Sequence, residues 1–299
     1  MLTGALLLVP SKKDESLGVF FKKRFSRIGV PFLFWIGVYF FWTMFIEKQA
    51  VTQEYIVNGI LQGPYVHFWY LYMLAGLYLL TPLLRVMVAQ FTDKHFKYFI
   101  GLWFVGTILT SCVKFASGDY YHVDGNLFVI PLLVGYFVMG AYLVKLQIRR
   151  RILVALTGLG LSLTVMATYF AAYWRGYDMF FFQDPTSPTI ILASAALFML
   201  LNSYAKPKTL SQVEAAVVLE KNSWKRWILH IISENSLPIY LFHMIVLALI
   251  SGGFFGYTLN GNSIDPSIGA PIIAVIVLGL SLLIIVPLKK ISILKKLMG

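Results

Sequence analysis

The chain has 299 residues, 59% hydrophobic and 13% charged, with a formal net charge of +12 and a mean hydropathy of +0.76. An average soluble domain carries about 25% charged residues, so this composition excludes a soluble globular protein and reads as an integral membrane protein. Repeated apolar runs make it all-α, a polytopic helical bundle rather than a barrel, and residues 1–299 read as a single membrane domain.

A short apolar piece at 1–10 comes first; it lacks a basic leader, so it does not read as a cleavable signal peptide. Eight full spans are then predicted, at 28–46, 68–88, 97–115, 127–145, 152–173, 189–204, 237–255 and 270–288. Most approach the ~20 residues a bilayer core requires, with 189–204 the shortest. Lys and Arg alternate between the connections. Segments 11–27, 85–97, 145–151, 205–236 and 289–299 hold 22 of the 25, against Lys48, Lys114 and Arg175 on the opposite side. The positive-inside rule puts those basic segments and the carboxy terminus in the cytoplasm. The positive charge is therefore topology and implies no nucleic acid.

With 11–27 inside, the 1–10 piece descends from the outer side. Its residues rise only ~15 Å as a helix, half the hydrocarbon thickness, so the sequence is expected to be amino-terminally incomplete. The single cysteine, Cys112, lies in an apolar run; it excludes an internal disulfide or a cysteine metal site and reads as a buried thiol. Residues 223–235 read as an interfacial helix on the inner leaflet, with Trp224, Trp227, Ile228 and Ile231 on one side.

Three stretches carry candidate chemistry. The first is Phe21–Trp35, where Lys22, Lys23, Arg24 and Arg27 run into an apolar stretch headed by Pro31. Arg24 and Arg27 share a face if this stretch is α-helical, and two forked cations suit a phosphate-bearing ligand. The plain alternative is a topology anchor. The second is Ser236–His243, where Ser236, Tyr240 and His243 form one helical stripe. An intramembrane histidine is a catalytic or relay candidate, or else a hydrogen-bonding partner that holds helices together. The third is Tyr65–Leu71, with His67 at the outer end of its span and Trp69 and Tyr70 beside it, either an interfacial belt or a platform for a sugar ring. His95, His122 and His230 are expected in solvated connections. No metal-ligand spacing and no nucleophile elbow is present.

Several of these stretches resemble the membrane-bound acyltransferase 3 family, bacterial enzymes that move acyl groups onto sugars of surface polysaccharide or peptidoglycan. Leu2–Thr3–Gly4–Ala5–Leu6–Leu7 is similar to the family's second span, with threonine for the usual serine. Lys23 to Ile28, followed by Pro31, resembles the head of its third span. His67–Leu71 with Tyr78–Leu84 resembles the fourth, and Ser236–His243 the ninth. The resemblance implies ten spans, of which the first has no counterpart here. It also implies that the catalytic histidine lies on that first span, so that the chain reads as a fragment whose activity depends on the span being restored.

What else the resemblance implies is an O-acyltransferase that uses a cytoplasmic acyl-CoA as co-substrate, with acetyl as the leading acyl group and no bound cofactor or metal. Arg24 and Arg27 would hold the donor. The acceptor would be a hydroxyl of an envelope glycan or lipid-linked sugar, near Trp69, Tyr70, Ser236 and Tyr240. His243 and His67 are the candidate catalytic residues on this chain. The expected location is the bacterial inner membrane, multi-pass, with the carboxy terminus inside. Two other readings stand beside it: a transporter or flippase of a lipid-linked sugar, which internal pseudo-symmetry would favour, and a non-catalytic remnant.

Overall fold

Long apolar runs without backbone partners of their own must satisfy every N–H and C=O internally, and in lipid an α-helix does this within one segment. The computed structural model describes residues 1–8, 15–50, 52–117, 132–175, 180–205, 224–253 and 265–299, and every regular element among them is helical. In chain order the α-helices are α1 (Leu2–Leu7), α2 (Leu17–Arg24), α3 (Val30–Phe45), α4 (Gln53–Leu61), α5 (Trp69–Ala89), α6 (Asp93–Ser117) and α7 (Leu132–Leu143). They continue with α8 (Arg150–Arg175), α9 (Pro188–Ala205), α10 (Trp224–Glu234), α11 (Ser236–Ser251), α12 (Pro266–Leu288) and α13 (Ser292–Met298).

Each apolar run predicted to span contains one of these helices. By length and apolarity, four described stretches can cross a bilayer: Leu17–Phe45, Gln53–Ala89, Arg150–Trp174 and Ile268–Leu288. A fifth arises if α10 and α11, bent by 78°, are one broken span, while Leu133–Leu143 and Pro188–Tyr204 are shorter apolar helices. The chain is thus a multi-pass helical membrane protein. Exposed apolar side chains such as Leu33, Phe41, Leu83, Val165, Val275 and Leu283 supply the surface that hydrocarbon requires.

The chain divides into two compact units, Met1–Asp14 with Leu79–Glu214, and Glu15–Tyr78 with Ala215–Gly299. In the first, small residues let backbones touch. A Cβ on Gly4 of α1 would lie 1.8 Å from the Phe137 carbonyl of α7, and one on Gly140 would lie 2.1 Å from the Met1 carbonyl. Glycine at these two sites is what allows α1 and α7 to pack so closely. The Arg85 Nε donates to the Leu7 carbonyl at 2.6 Å, giving that acceptor at the end of α1 a partner. Thr164 of α8 donates to Thr189 of α9 at 2.8 Å. Cys112 lies in α6 and is exposed, not the buried thiol expected of it, because an apolar run in a membrane protein also supplies the outward-facing surface.

The second unit holds its core where α3, α5, α11, α12 and α13 meet, at Trp35, Ile36, Tyr39, Phe68, Leu71, Leu241, Ile245, Ile285 and Met298. Its first helix is unusual. Between α2 and α3 the residues Phe25–Gly29 make a π turn, with the Val30 N–H donating to the Phe25 carbonyl. Pro31 supplies the reason. It has no N–H to give, and its ring crowds the carbonyl four residues back, that of Arg27. A widened turn relieves that crowding, so the helix passes the proline instead of stopping there.

Candidate functional site

All residues singled out from the sequence for donor, acceptor or catalysis belong to the second unit. At the start of α2, the Ser16 hydroxyl accepts from the Val19 N–H at 3.4 Å, and Lys22, Lys23 and Arg24 fill its last turn before the π turn. Arg24 is half-buried: its guanidinium lies 4.4 Å from the centre of the Phe20 ring and 3.8 Å from Glu15 Oε1. Glu15 also takes Lys23 Nζ at 2.9 Å. Arg27 is exposed.

The π turn changes how the two arginines relate. More residues per turn mean that positions three apart sit farther round the axis than α spacing implies. Even so, both charges act on the Tyr78 hydroxyl of α5, which also feels Tyr70 just over two turns earlier. Glu15 went unnoticed in the sequence because nothing there places it against Arg24.

Toward the other end of α3 lies a cluster of rings around His67. A short 3₁₀ turn, Val66–Phe68, sets His67 just ahead of α5 and buries it to 8% exposure. Its ring centre is 5.3 Å from that of Tyr39, 5.5 Å from Tyr240, 5.3 Å from His243 and 4.7 Å from Phe68. The sequence separates the two histidines by 176 positions, and packing of α11 against the start of α5 brings them together. The Tyr240 hydroxyl donates to the His67 carbonyl. Tyr39, fully buried, donates to the Leu241 carbonyl at 2.9 Å and so ties α3 to α11.

The two imidazoles differ in their bonding. His243 Nδ1 lies 2.6 Å from the Tyr240 carbonyl, which can only accept, so Nδ1 carries the proton there. Neither ring nitrogen of His67 has a hydrogen-bond partner. The Leu241 carbonyl faces that ring but already takes the Tyr39 hydroxyl, and neither His67 nitrogen closes a bond to it.

Of the acceptor candidates, Tyr70 and Tyr240 stand together with ring centres 5.4 Å apart, and Trp69 is 6.2 Å from Tyr70 and half exposed. Ser236 is exposed at the first position of α11, without a described contact to the ring cluster. Two groups beyond these were missed. The Glu47 carboxylate accepts from Trp42 Nε1 at 2.8 Å and from the Tyr65 hydroxyl, and the Tyr65 ring lies 4.7 Å from Tyr39. Nothing in the sequence singles out Glu47, since its partners are set by tertiary contacts.

The other histidines sort differently from expectation in position, though not in exposure. His95 lies in the first turn of α6, where Thr92 bonds its Nδ1 at 3.2 Å, and His230 lies in α10, 3.5 Å from Glu234. Both are exposed; His95 is on a helix rather than in a connection because α6 begins earlier than hydropathy alone suggests, while His230 is on the helix expected at 223–235. His122 lies outside the described residues. Among the described residues no group of three or more His, Cys, Asp or Glu could hold a metal ion.

The family model of acyltransferase 3, described as an acyltransferase domain, matches residues 1–288. No curated protein and no solved structure matches the chain.

Proposed function

Because the chain belongs to the acyltransferase 3 family, we propose that it is a membrane O-acyltransferase carrying an acyl group, acetyl first among candidates, from a cytoplasmic acyl-CoA to a hydroxyl of an envelope glycan. The observation that carries this reading is a separation along one helix. Arg27 lies within the Leu17–Phe45 stretch, and Tyr39, whose ring packs on His67, follows 12 residues later, a rise of ~18 Å. A donor serving both ends must be elongated, with its phosphates at the arginines and its reacting carbon far from them. Coenzyme A thioesters are built that way, with the diphosphate at one end of a long arm and the thioester at the other.

On this reading Arg24 and Arg27 hold the phosphates by charge-assisted hydrogen bonds, and Tyr78 stands between them and the ring cluster. The acceptor sugar lies against Trp69, Tyr70 and Tyr240, with Ser236 at the rim. The attacking hydroxyl is too weakly acidic to act without a base, which the histidines can supply. The finer topology belongs to the same proposal: eight spans in the bacterial inner membrane, with the carboxy terminus in the cytoplasm.

The test is acetyl transfer from radiolabelled acetyl-CoA to membrane glycans by the full chain and its variants. Arg24→Ala and Arg27→Ala are expected to raise the KM for acetyl-CoA roughly 10- to 100-fold, the equivalent of one charge-assisted contact each. Unchanged transfer in both variants removes the donor assignment.

A further inference from the structure

We propose that α13 is part of the donor site, with Lys295 and Lys296 binding the 3′-phosphate of the acyl-CoA whose diphosphate lies at Arg24 and Arg27. The inference rests on the acyltransferase reading and extends its donor site into residues 289–299, which lie beyond the stretch that the family model matches. The juxtaposition that carries it is the end of α13 seated on Pro31, at the head of the helix that follows the arginines.

The seat follows from what α13 buries. Leu294 and Met298 are four residues apart and share one helical face. Both pack into the core that α3 and α11 build, and Met298 is only 3% exposed. Ile28, next to Arg27 in the chain, packs against the same core. A Cβ on Gly299 would lie 3.3 Å from Pro31 Cγ and 2.9 Å from Leu237 Cδ2. Lys289 pins this end, its Nζ donating to the Gly299 carbonyl at 2.7 Å and to the Glu234 carbonyl at 3.3 Å.

That seat brings two sets of cations together. Pro31 follows Arg27 by four residues, and Gly299 follows Lys295 by four, about one turn or ~5.4 Å in each case. One contact and two turns therefore link Arg27 to Lys295, and Lys296 flanks Gly299 on the other side. Arg27, Lys295 and Lys296 are exposed, and none of them pairs with a carboxylate among the described residues. The Lys295 charge also reaches Lys289. Like charges gathered by packing repel one another, and an anion between them relieves that. A topology anchor needs charge on the cytoplasmic side but no fixed place in the fold. α13 has a fixed place.

The nucleotide end of an acyl-CoA carries anionic groups on both sides of one ribose, a diphosphate at the 5′ carbon and a phosphate monoester at the 3′ carbon. Arginine forks suit the diphosphate, and compact lysine charges suit the monoester. A phospholipid headgroup offers phosphate of the same kind, so the test must separate the two sources.

Calorimetric titration of the full chain in phosphatidylcholine vesicles compares CoA with 3′-dephospho-CoA, which lacks only the monoester. Wild type is expected to bind CoA roughly 5- to 30-fold more tightly, two partly screened charge contacts. Lys295→Gln with Lys296→Gln is expected to abolish that preference and to leave dephospho-CoA binding within twofold. Lys94→Gln with Lys97→Gln, which removes the same charge elsewhere, is expected to change neither. A double variant at 295 and 296 that keeps the preference, or that weakens both ligands equally, overturns the proposal. So does a wild type that binds both ligands alike or neither. Repeating the titration with phosphatidylglycerol in the vesicles tests the lipid: a preference intact in the double variant, with thermal stability altered only when this lipid is present, assigns the lysines to headgroups and overturns the proposal. Acetyl transfer to membrane glycans separates the two readings. A wild type that shows the preference but transfers no acetyl counts against the acyltransferase reading and leaves the 3′-phosphate site standing.

Discussion

Tyr39 offers the sharpest test of how the second unit is held together. Its ring is fully buried, in contact with Tyr65 at 4.7 Å, Phe68 at 5.2 Å and His67 at 5.3 Å, and its hydroxyl makes one bond, to the Leu241 carbonyl. Tyr39→Phe removes that bond and keeps the ring. The carbonyl it leaves is inside α11 and retains its helical donor, so no acceptor is stranded. Interhelical hydrogen bonds in membrane proteins average about 0.6 kcal/mol, and that is the expected loss. Tyr39→Ala removes the ring as well. Truncating a buried aromatic costs about 3–5 kcal/mol, several times the hydroxyl alone. Equilibrium unfolding of the purified protein in mixed micelles reads both values. The aromatic account of this core is refuted if Tyr39→Ala falls within about 1 kcal/mol of wild type, a cost the hydroxyl alone would explain. A Tyr39→Phe loss close to that of Tyr39→Ala refutes it equally, since the hydroxyl would then be the stabilising element.

Four further expectations follow from named contacts. Gly4→Val places side-chain atoms where the Phe137 carbonyl stands 1.8 Å from a Cβ position, so α1 must leave α7, and protease protection of the first unit falls. Glu15 shares the Lys23 and Arg24 charges, so Glu15→Gln is expected to lower the KM for acetyl-CoA two- to fivefold, about 0.4–1 kcal/mol as for a half-exposed ion pair. Gly135→Leu meets the Trp103 ring 2.2 Å from the Cβ position and lowers thermal stability, read by loss of the monodisperse species on heating. Burial lowers the pKa of Lys289, with the Glu234 charge opposing and the Lys295 charge adding to that shift. The folded state thus releases this proton before the unfolded chain does, and stability from this group rises as pH climbs from the lowered value toward 10.5, a rise that Lys289→Gln abolishes in pH-dependent unfolding.

The sequence made the helices legible because hydrocarbon imposes one rule, a long apolar run, and each of those runs contains a helix. It did not reveal how long each helix is apolar end to end; among the described residues four stretches, or five with the bent pair, are able to span by length and composition. Arg24, Arg27, His67 and His243 could all be named from charge and position in apolar surroundings. Their relations could not. The wide turn that separates the arginines is a matter of which carbonyl the Val30 N–H selects, and hydropathy is blind to that. The approach of His67 to His243 depends on α11 meeting the start of α5, a contact between segments far apart in the chain. Glu15 and Glu47 could not be singled out, because ion-pair and hydrogen-bond partners are tertiary information.

The widened turn at Phe25–Gly29 makes this helix tolerant of a change in length at one place only. Deleting a residue from an ordinary α-helix rotates everything beyond it by about 100° and draws it in by ~1.5 Å, which here would swing Tyr39 off the histidines. A deletion inside the bulge, made together with replacement of Pro31, instead consumes the surplus and returns the segment to regular winding. The aromatic wall stays aimed as before, and the arginines alone are re-aimed. Homologues with one residue fewer here, and no proline after it, are the sequences in which to look for a donor site tuned to a different anionic head.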